Sequence, residues 1–161
     1  MKEILFVLCV LAVTAYLAVT AWEDFKTCEI TRWKHLIGLI PAFILLCMRM
    51  NTFSGLELII VLVFIVLYVI AGYCGIYGVA DGFVFAILTL LFGAVGGVAG
   101  IGIVIIIMII AGFSFLLNHL VICMIKKKRL FQNVAAAFVP HILVGYIFAW
   151  TGLLIICSVA L

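Results

Sequence analysis

The sequence predicts an all-α, polytopic membrane bundle of about six transmembrane helices, organised as a single domain over residues 1–161. Three observations predict it. Hydrophobic residues make up 70% of the chain and charged residues only 9%, where a soluble domain carries roughly 25% charged residues. The mean hydropathy is +1.58, so there is too little polar surface to cover a fold in water, and the matching solvent is lipid. The apolar residues also fall into separate runs, each long enough for the roughly 20 residues that a membrane-crossing helix needs.

Ile4–Trp22 is the first run. Its opening Met-Lys-Glu is a poor signal-peptide start, because Glu3 cancels Lys2, and the rest of the chain is itself multi-spanning. The run therefore reads as a retained helix. His35–Met50 is the second span, with Pro41 inside it, and Gly55–Ala71 is the third. From Gly82 to Ile125, 44 residues pass without one Asp, Glu, Lys or Arg. That is too long for a single crossing, and Gly93, Gly96, Gly97 and Gly100 offer the turn between two helices. Asn118 and His119 would mark the end of the fifth helix. The last span lies within Val134–Leu161 and has Pro140 near its start.

Basic residues orient such a bundle, because loops rich in Lys and Arg stay in the cytoplasm. Loop one holds Lys26, Arg32 and Lys34, and loop five holds Lys126, Lys127, Lys128 and Arg129. The opposite side has only Lys2 and Arg49. Odd-numbered loops are thus expected to face the cytoplasm and both termini to face outward. Lys126–Arg129 reads as an anchor at anionic headgroups. Nine basic residues spread over the chain, at net charge +3, leave no footprint for nucleic acid. The six cysteines stand singly, with no Cys-x-x-Cys, and read as small apolar residues. No metal and no cofactor are expected.

Asp24 and Asp81 are the only aspartates. Asp24 is expected just past the end of the first helix and Asp81 just before the fourth. Two crossings lie between them, so both belong at the same, cytoplasmic edge despite 57 residues of separation. Two carboxylates that meet in a partly dry site share one proton. Such a pair can hydrolyse an amide: the ionised member takes a proton from water while the protonated member polarises the carbonyl. Gly78 and Gly82, with Ala80 between them, would let a neighbouring or substrate backbone come close to Asp81. The plain alternatives stay open: Asp81 as a helix cap and Asp24 as an interfacial charge.

At these residues the sequence resembles the type IV prepilin peptidases, in particular the short forms that serve tight-adherence (Flp) pili. The family carries Asp-x-(Lys/Arg) and then Ile-(Pro/Thr)-Asn after its first helix. Here the chain reads Asp24-Phe25-Lys26, then Ile30-Thr31-Arg32, with Arg where Asn is usual. The second family motif, Gly-x-Gly-Asp at the fourth helix, reads Gly78-Val79-Ala80-Asp81, with Ala80 in place of the second Gly. Ala137-Phe138-Val139-Pro140 is a loose counterpart of the stretch that opens the family's last helix. The likeness of order, spacing and helix count covers nearly the whole chain.

The resemblance implies an aspartic endopeptidase of the prokaryotic inner membrane, with Asp24 and Asp81 as the catalytic pair. Its partner would be a prepilin, cut at the cytoplasmic face between a short basic leader and the hydrophobic segment. Longer members carry a cysteine-rich insert in loop one linked to methyl transfer. The stretch Glu23–Lys34 has one Cys, so no methyltransferase activity is expected.

Other polar residues have plainer readings beside functional ones. Glu23 and Glu29 are either contacts for a basic leader or solvated interfacial charges. Lys26 is either a tuner of Asp24 or an ordinary positive-inside residue. Arg49 and Glu57 bracket an outer loop, where they are expected to pair. Of the three histidines, only His141 beside Pro140 stands out. Trp22, Trp33 and Trp150 read as interfacial or packing aromatics, and the glycine pairs 93/97 and 96/100 as close-packing sites. A non-enzymatic membrane component, either a small transporter or a pilus-assembly subunit, remains the alternative from another class. A catalytically inactive relative is the third reading.

Overall fold

In the computed structural model the chain is described over residues 2–126 and 137–159. Six helices follow one another: α1 (Lys2–Thr27), α2 (His35–Arg49), α3 (Gly55–Tyr73), α4 (Val79–Gly96), α5 (Val98–Lys126) and α6 (Val139–Val159). Among the described residues there is no strand, and α1 to α5 are each long and apolar enough to cross a membrane. The shortest of these, α4, has 18 residues and so spans about 27 Å. The chain is a multi-pass membrane helix bundle.

The helix α4 is the hub. It packs against α2, α3 and α5, while α1 closes onto α2 and α6, and α5 onto α6. Its Val84, Phe85, Leu88, Leu91 and Phe92 are fully buried. By contrast α3 turns Leu56, Ile59, Val63, Val66 and Ile70 outward. This is one helical stripe at a spacing of three and four residues, and it faces lipid. An all-round apolar helix such as α4 gains from the centre, whereas an apolar stripe costs nothing when its solvent is hydrocarbon.

The glycine-rich break falls where expected. Gly97 takes φ +56° between α4 and α5, a backbone state that a Cβ disfavours, and its N–H closes α4 on Gly93 O at 2.8 Å. Gly97 is thus the turn, and a Cβ there would also stand 3.0 Å from Glu57 Oε1. Gly93 does serve packing, with a Cβ there standing 3.0 Å from Val61, and a Cβ on Gly100 would run into the Phe92 carbonyl.

Several boundaries differ from expectation. Helix α1 runs past Trp22 to Thr27 and α5 past His119 to Lys126. Hydropathy ends with the apolar run, but the backbone ladder continues until something stops it. For α1 the stop is Cys28, which turns left-handed at φ 53° while its N–H bonds to Asp24 O at 2.8 Å. Arg49 and Glu57 do not pair. Arg49 reaches the last carbonyls of α4, at Ala94 O (3.4 Å) and Val95 O (3.5 Å), where a cation complements the helix dipole. Glu57 instead closes a capping box with Ser54 at the start of α3. Each charge finds a helix end nearer than the opposite side chain. The expected anchor residues Lys127, Lys128 and Arg129 lie outside the described residues.

Candidate functional site

Asp24 lies in the last turn of α1 and not beyond it. It is buried, 7% exposed, and its Oδ2 accepts from the N–H of Val139, the first residue of α6, at 2.9 Å. The stretch that follows folds back over this helix end. Thr27 Oγ1 donates to Glu23 O and to Glu29 O. The Glu23 carboxylate accepts from Thr31 Oγ1 and pairs with Lys34, both at 2.7 Å. Glu23 therefore braces the α1–α2 connection. Lys26 is exposed and sits 4.5 Å from the ring centre of Trp22, a cation–π contact.

Asp81 is the third residue of α4, inside the helix and not ahead of it. It is 8% exposed, and its Oδ2 accepts from the N–H of Gly78 at 3.1 Å. The capping reading thus holds for this oxygen, and Oδ1 takes no hydrogen bond among the described residues. The two glycines have separate reasons. A Cβ on Gly78 would stand 2.8 Å from Asp81 Oδ2, so the missing side chain makes room for the carboxylate itself. A Cβ on Gly82 would stand 2.8 Å from Tyr68 O and 3.5 Å from Gly72 Cα, so Gly82 lets α3 approach α4. The nearby Tyr77 donates to Tyr68 O at 2.9 Å. Its phenol is pushed up to about 12 by burial, then by Tyr68 and Asp81, and it stays a neutral donor.

Asp24 and Asp81 line one cavity of about 890 Å³, and the charge of Asp24 reaches Asp81. Glu29, Ile30 and Arg32 from the α1–α2 connection, Ala80 ahead of Asp81 and Phe138 ahead of α6 also line it. Leu36, Leu39, Phe83, Ala86 and Ile87 continue its wall, so the cavity has a polar end and an apolar flank. Among the described residues, no three His, Cys, Asp or Glu side chains gather where a metal ion could sit. Five cysteines are free, and of these only Cys28 lines the cavity.

Two residues escaped the sequence reading. His35 opens α2, is 7% exposed and lines the cavity between the two carboxylates' elements. His35 belongs at the same edge as Asp24 and Asp81, because α2 begins at the edge where α1 ends. Its partner Tyr16, 19 residues earlier, had no such signal. His141 in the first turn of α6 lies within electrostatic reach of Asp24, and its Nδ1 is 2.8 Å from Ser114 Oγ. Comparison with family models, with curated proteins and with solved structures finds no match to this chain.

Proposed function

We propose that this chain is a membrane-embedded aspartic endopeptidase that removes the basic leader of prepilin-type precursors at the cytoplasmic face of a prokaryotic inner membrane. The observation that carries the reading is the convergence of the only two aspartates, one from each of two non-adjacent helices, on one cavity where both are buried. A lone buried carboxylate costs free energy unless it is bonded or neutralised. Two in one chain, at one end of the bundle, invite a joint role. The resemblance of Asp24-Phe25-Lys26 and of Gly78–Asp81 to the prepilin peptidase motifs supplies the substrate class, with Asp81 just ahead of the apolar wall. The basic residues Lys26, Arg32 and Lys34 at this end favour the cytoplasmic side.

In the reaction one carboxylate is ionised and the other carries a proton. The ionised member takes a proton from a water as the water oxygen attacks the scissile carbonyl carbon. The protonated member donates to the carbonyl oxygen, and the tetrahedral adduct collapses as the proton gained from water passes to the departing amine and a hydroxyl proton of the adduct returns to the carboxylate that had donated, restoring the pair. The backbone at the start of α6 holds the Asp24 carboxylate, with Val139 N–H on Oδ2, and Gly78 N–H holds Oδ2 of Asp81, which leaves Oδ1 of Asp81 for this chemistry.

The test is incubation of the purified protein, in detergent or liposomes, with a prepilin from the same genome, read by product mass. Wild-type cleavage that is lost in both Asp24→Asn and Asp81→Asn is the expected result. Cleavage that survives either replacement removes the dyad, and a folded protein that never cleaves belongs to the non-enzymatic class.

A further inference from the structure

The imidazole of His35 is held by two neighbours. Its Nδ1 lies 2.7 Å from the Tyr16 hydroxyl, and its ring stacks on Phe83 at 5.3 Å between centroids and 26° between planes. Its residue begins α2 and shares that helix with Gly38. A Cβ on Gly38 would stand 2.5 Å from the Tyr16 ring, so this glycine is what lets the tyrosine lie against α2 and reach His35. Tyr16 is 3% exposed, and among the described residues its hydroxyl meets no partner but His35.

That geometry decides the tautomer. A buried hydroxyl whose proton has no acceptor costs the full desolvation of the group, so the Tyr16 O–H donates and Nδ1 accepts. The imidazole proton then sits on Nε2. Nε2 is neither bonded among the described residues nor sealed from the outside. It is an oriented, unspent N–H donor on a residue lining the cavity that holds both aspartates.

A peptide entering this cavity brings main-chain carbonyls against Leu36, Leu39, Phe83, Ala86 and Ile87, where no water replaces lost hydrogen bonds. Ionised carboxylates cannot donate to them. We propose that His35 is a substrate-positioning residue whose Nε2–H donates to a main-chain carbonyl oxygen of the bound peptide, with Tyr16 fixing the ring for that role. This rests on the endopeptidase reading above. A ring fixed beforehand loses little freedom on binding, so the bond adds to affinity and sets the register of the chain beside the two carboxylates.

The experiment uses the full chain in detergent micelles and a fluorescently labelled synthetic prepilin peptide spanning the leader and the first apolar residues. Binding is read by anisotropy in an Asp81→Asn background, and KM and kcat are read without that change. His35→Phe keeps the stack and removes the donor; it is expected to weaken binding and raise KM about tenfold, the scale of one hydrogen bond. Its kcat should stay within about twofold, as for an interaction made equally in ground and transition states. His35→Gln, which restores an amide N–H near Nε2, should recover most of the binding. Tyr16→Phe, which frees Nδ1, should fall between. Binding unchanged in His35→Phe overturns the proposal, and so does His35→Gln binding as weakly as His35→Phe, because packing alone would then explain the loss. If His35→Phe does not fold, His35→Gln and Tyr16→Phe decide: loss in Tyr16→Phe with retention in His35→Gln supports the donor role, and any other pattern overturns it. Cleavage that survives either aspartate replacement removes the dyad but leaves the binding comparison to judge His35.

Discussion

The Oδ2 of Asp24 accepts a hydrogen bond of 2.9 Å from the backbone N–H of Val139, 115 residues away. One carboxylate thus joins the last turn of the first helix to the first turn of the sixth. An N–H in that turn has no partner inside its own helix and must find one elsewhere. Asp24 therefore has a structural duty beside its proposed chemical one, and the two can be separated. Asp24→Asn keeps an oxygen for Val139 and should abolish cleavage with little change in stability. Asp24→Ala should abolish cleavage and also destabilise the bundle by about 1–3 kcal/mol, the cost of a buried N–H left without its acceptor. Unfolding in detergent alongside the cleavage assay checks both.

The two glycines around Asp81 should part in the same assays. Gly78→Ala places a methyl 2.8 Å from Asp81 Oδ2 and should lower cleavage by about tenfold or more while the bundle still assembles, since a displacement of the order of 1 Å can cost about a hundredfold. Gly82→Ala meets the Tyr68 carbonyl at 2.8 Å, which is backbone and cannot swing away. It should destabilise by about 1–3 kcal/mol, as overpacking does, and activity should fall with the amount of folded protein.

Ala80 lines the cavity where the resembled motif has glycine. Ala80→Gly should leave cleavage within about twofold, with at most about 1 kcal/mol lost from helix propensity. Ala80→Leu should block peptide entry and reduce kcat/KM by about tenfold or more, because added bulk in a packed site forces its neighbours to move. An active Ala80→Leu would show that the peptide does not pass this side of the cavity.

Arg49 supplies a control at the far end of α4. Its contacts to Ala94 O and Val95 O complement the helix C-terminus. Arg49→Ala should cost about 0.3–1 kcal/mol of stability and leave KM and kcat for the peptide unchanged.

Tyr77 predicts an alkaline dependence. Its phenol is raised from 10.0 to about 12 in the folded chain, first by burial, so the neutral form is favoured on folding. That contribution is complete below pH 10 and is lost as the pH rises through 12. Unfolding measured across this window should show a shallower decline in Tyr77→Phe than in the wild type. An identical slope would mean that Tyr77 reaches water.

How much of this was legible beforehand follows from how local each signal is. The charge-free stretch from Gly82 to Ile125 and its glycines placed the α4–α5 turn within the cluster of Gly93, Gly96, Gly97 and Gly100, because crossing length is a property of a short window, and the structure puts it at Gly97. The shared edge of Asp24 and Asp81 followed from counting crossings. The ends of α1 and α5 did not follow, since hydropathy marks where lipid ends and not where a hydrogen-bond ladder stops.

Composition and apolar runs by themselves determined a six-helix membrane bundle, the α4–α5 break and the end of the bundle that holds both aspartates. Each depends on solvent or on chain geometry, and neither needs a partner. Tertiary structure alone decided that Val139 meets Asp24, that Tyr16 meets His35 through the space left by Gly38, and that Arg49 takes the end of α4 instead of Glu57. A hydrogen bond is made with whichever group packing brings within 3 Å, and in a bundle of near-uniform hydrophobicity the contacts that choose that group come from shape, which a linear pattern of apolar residues does not encode.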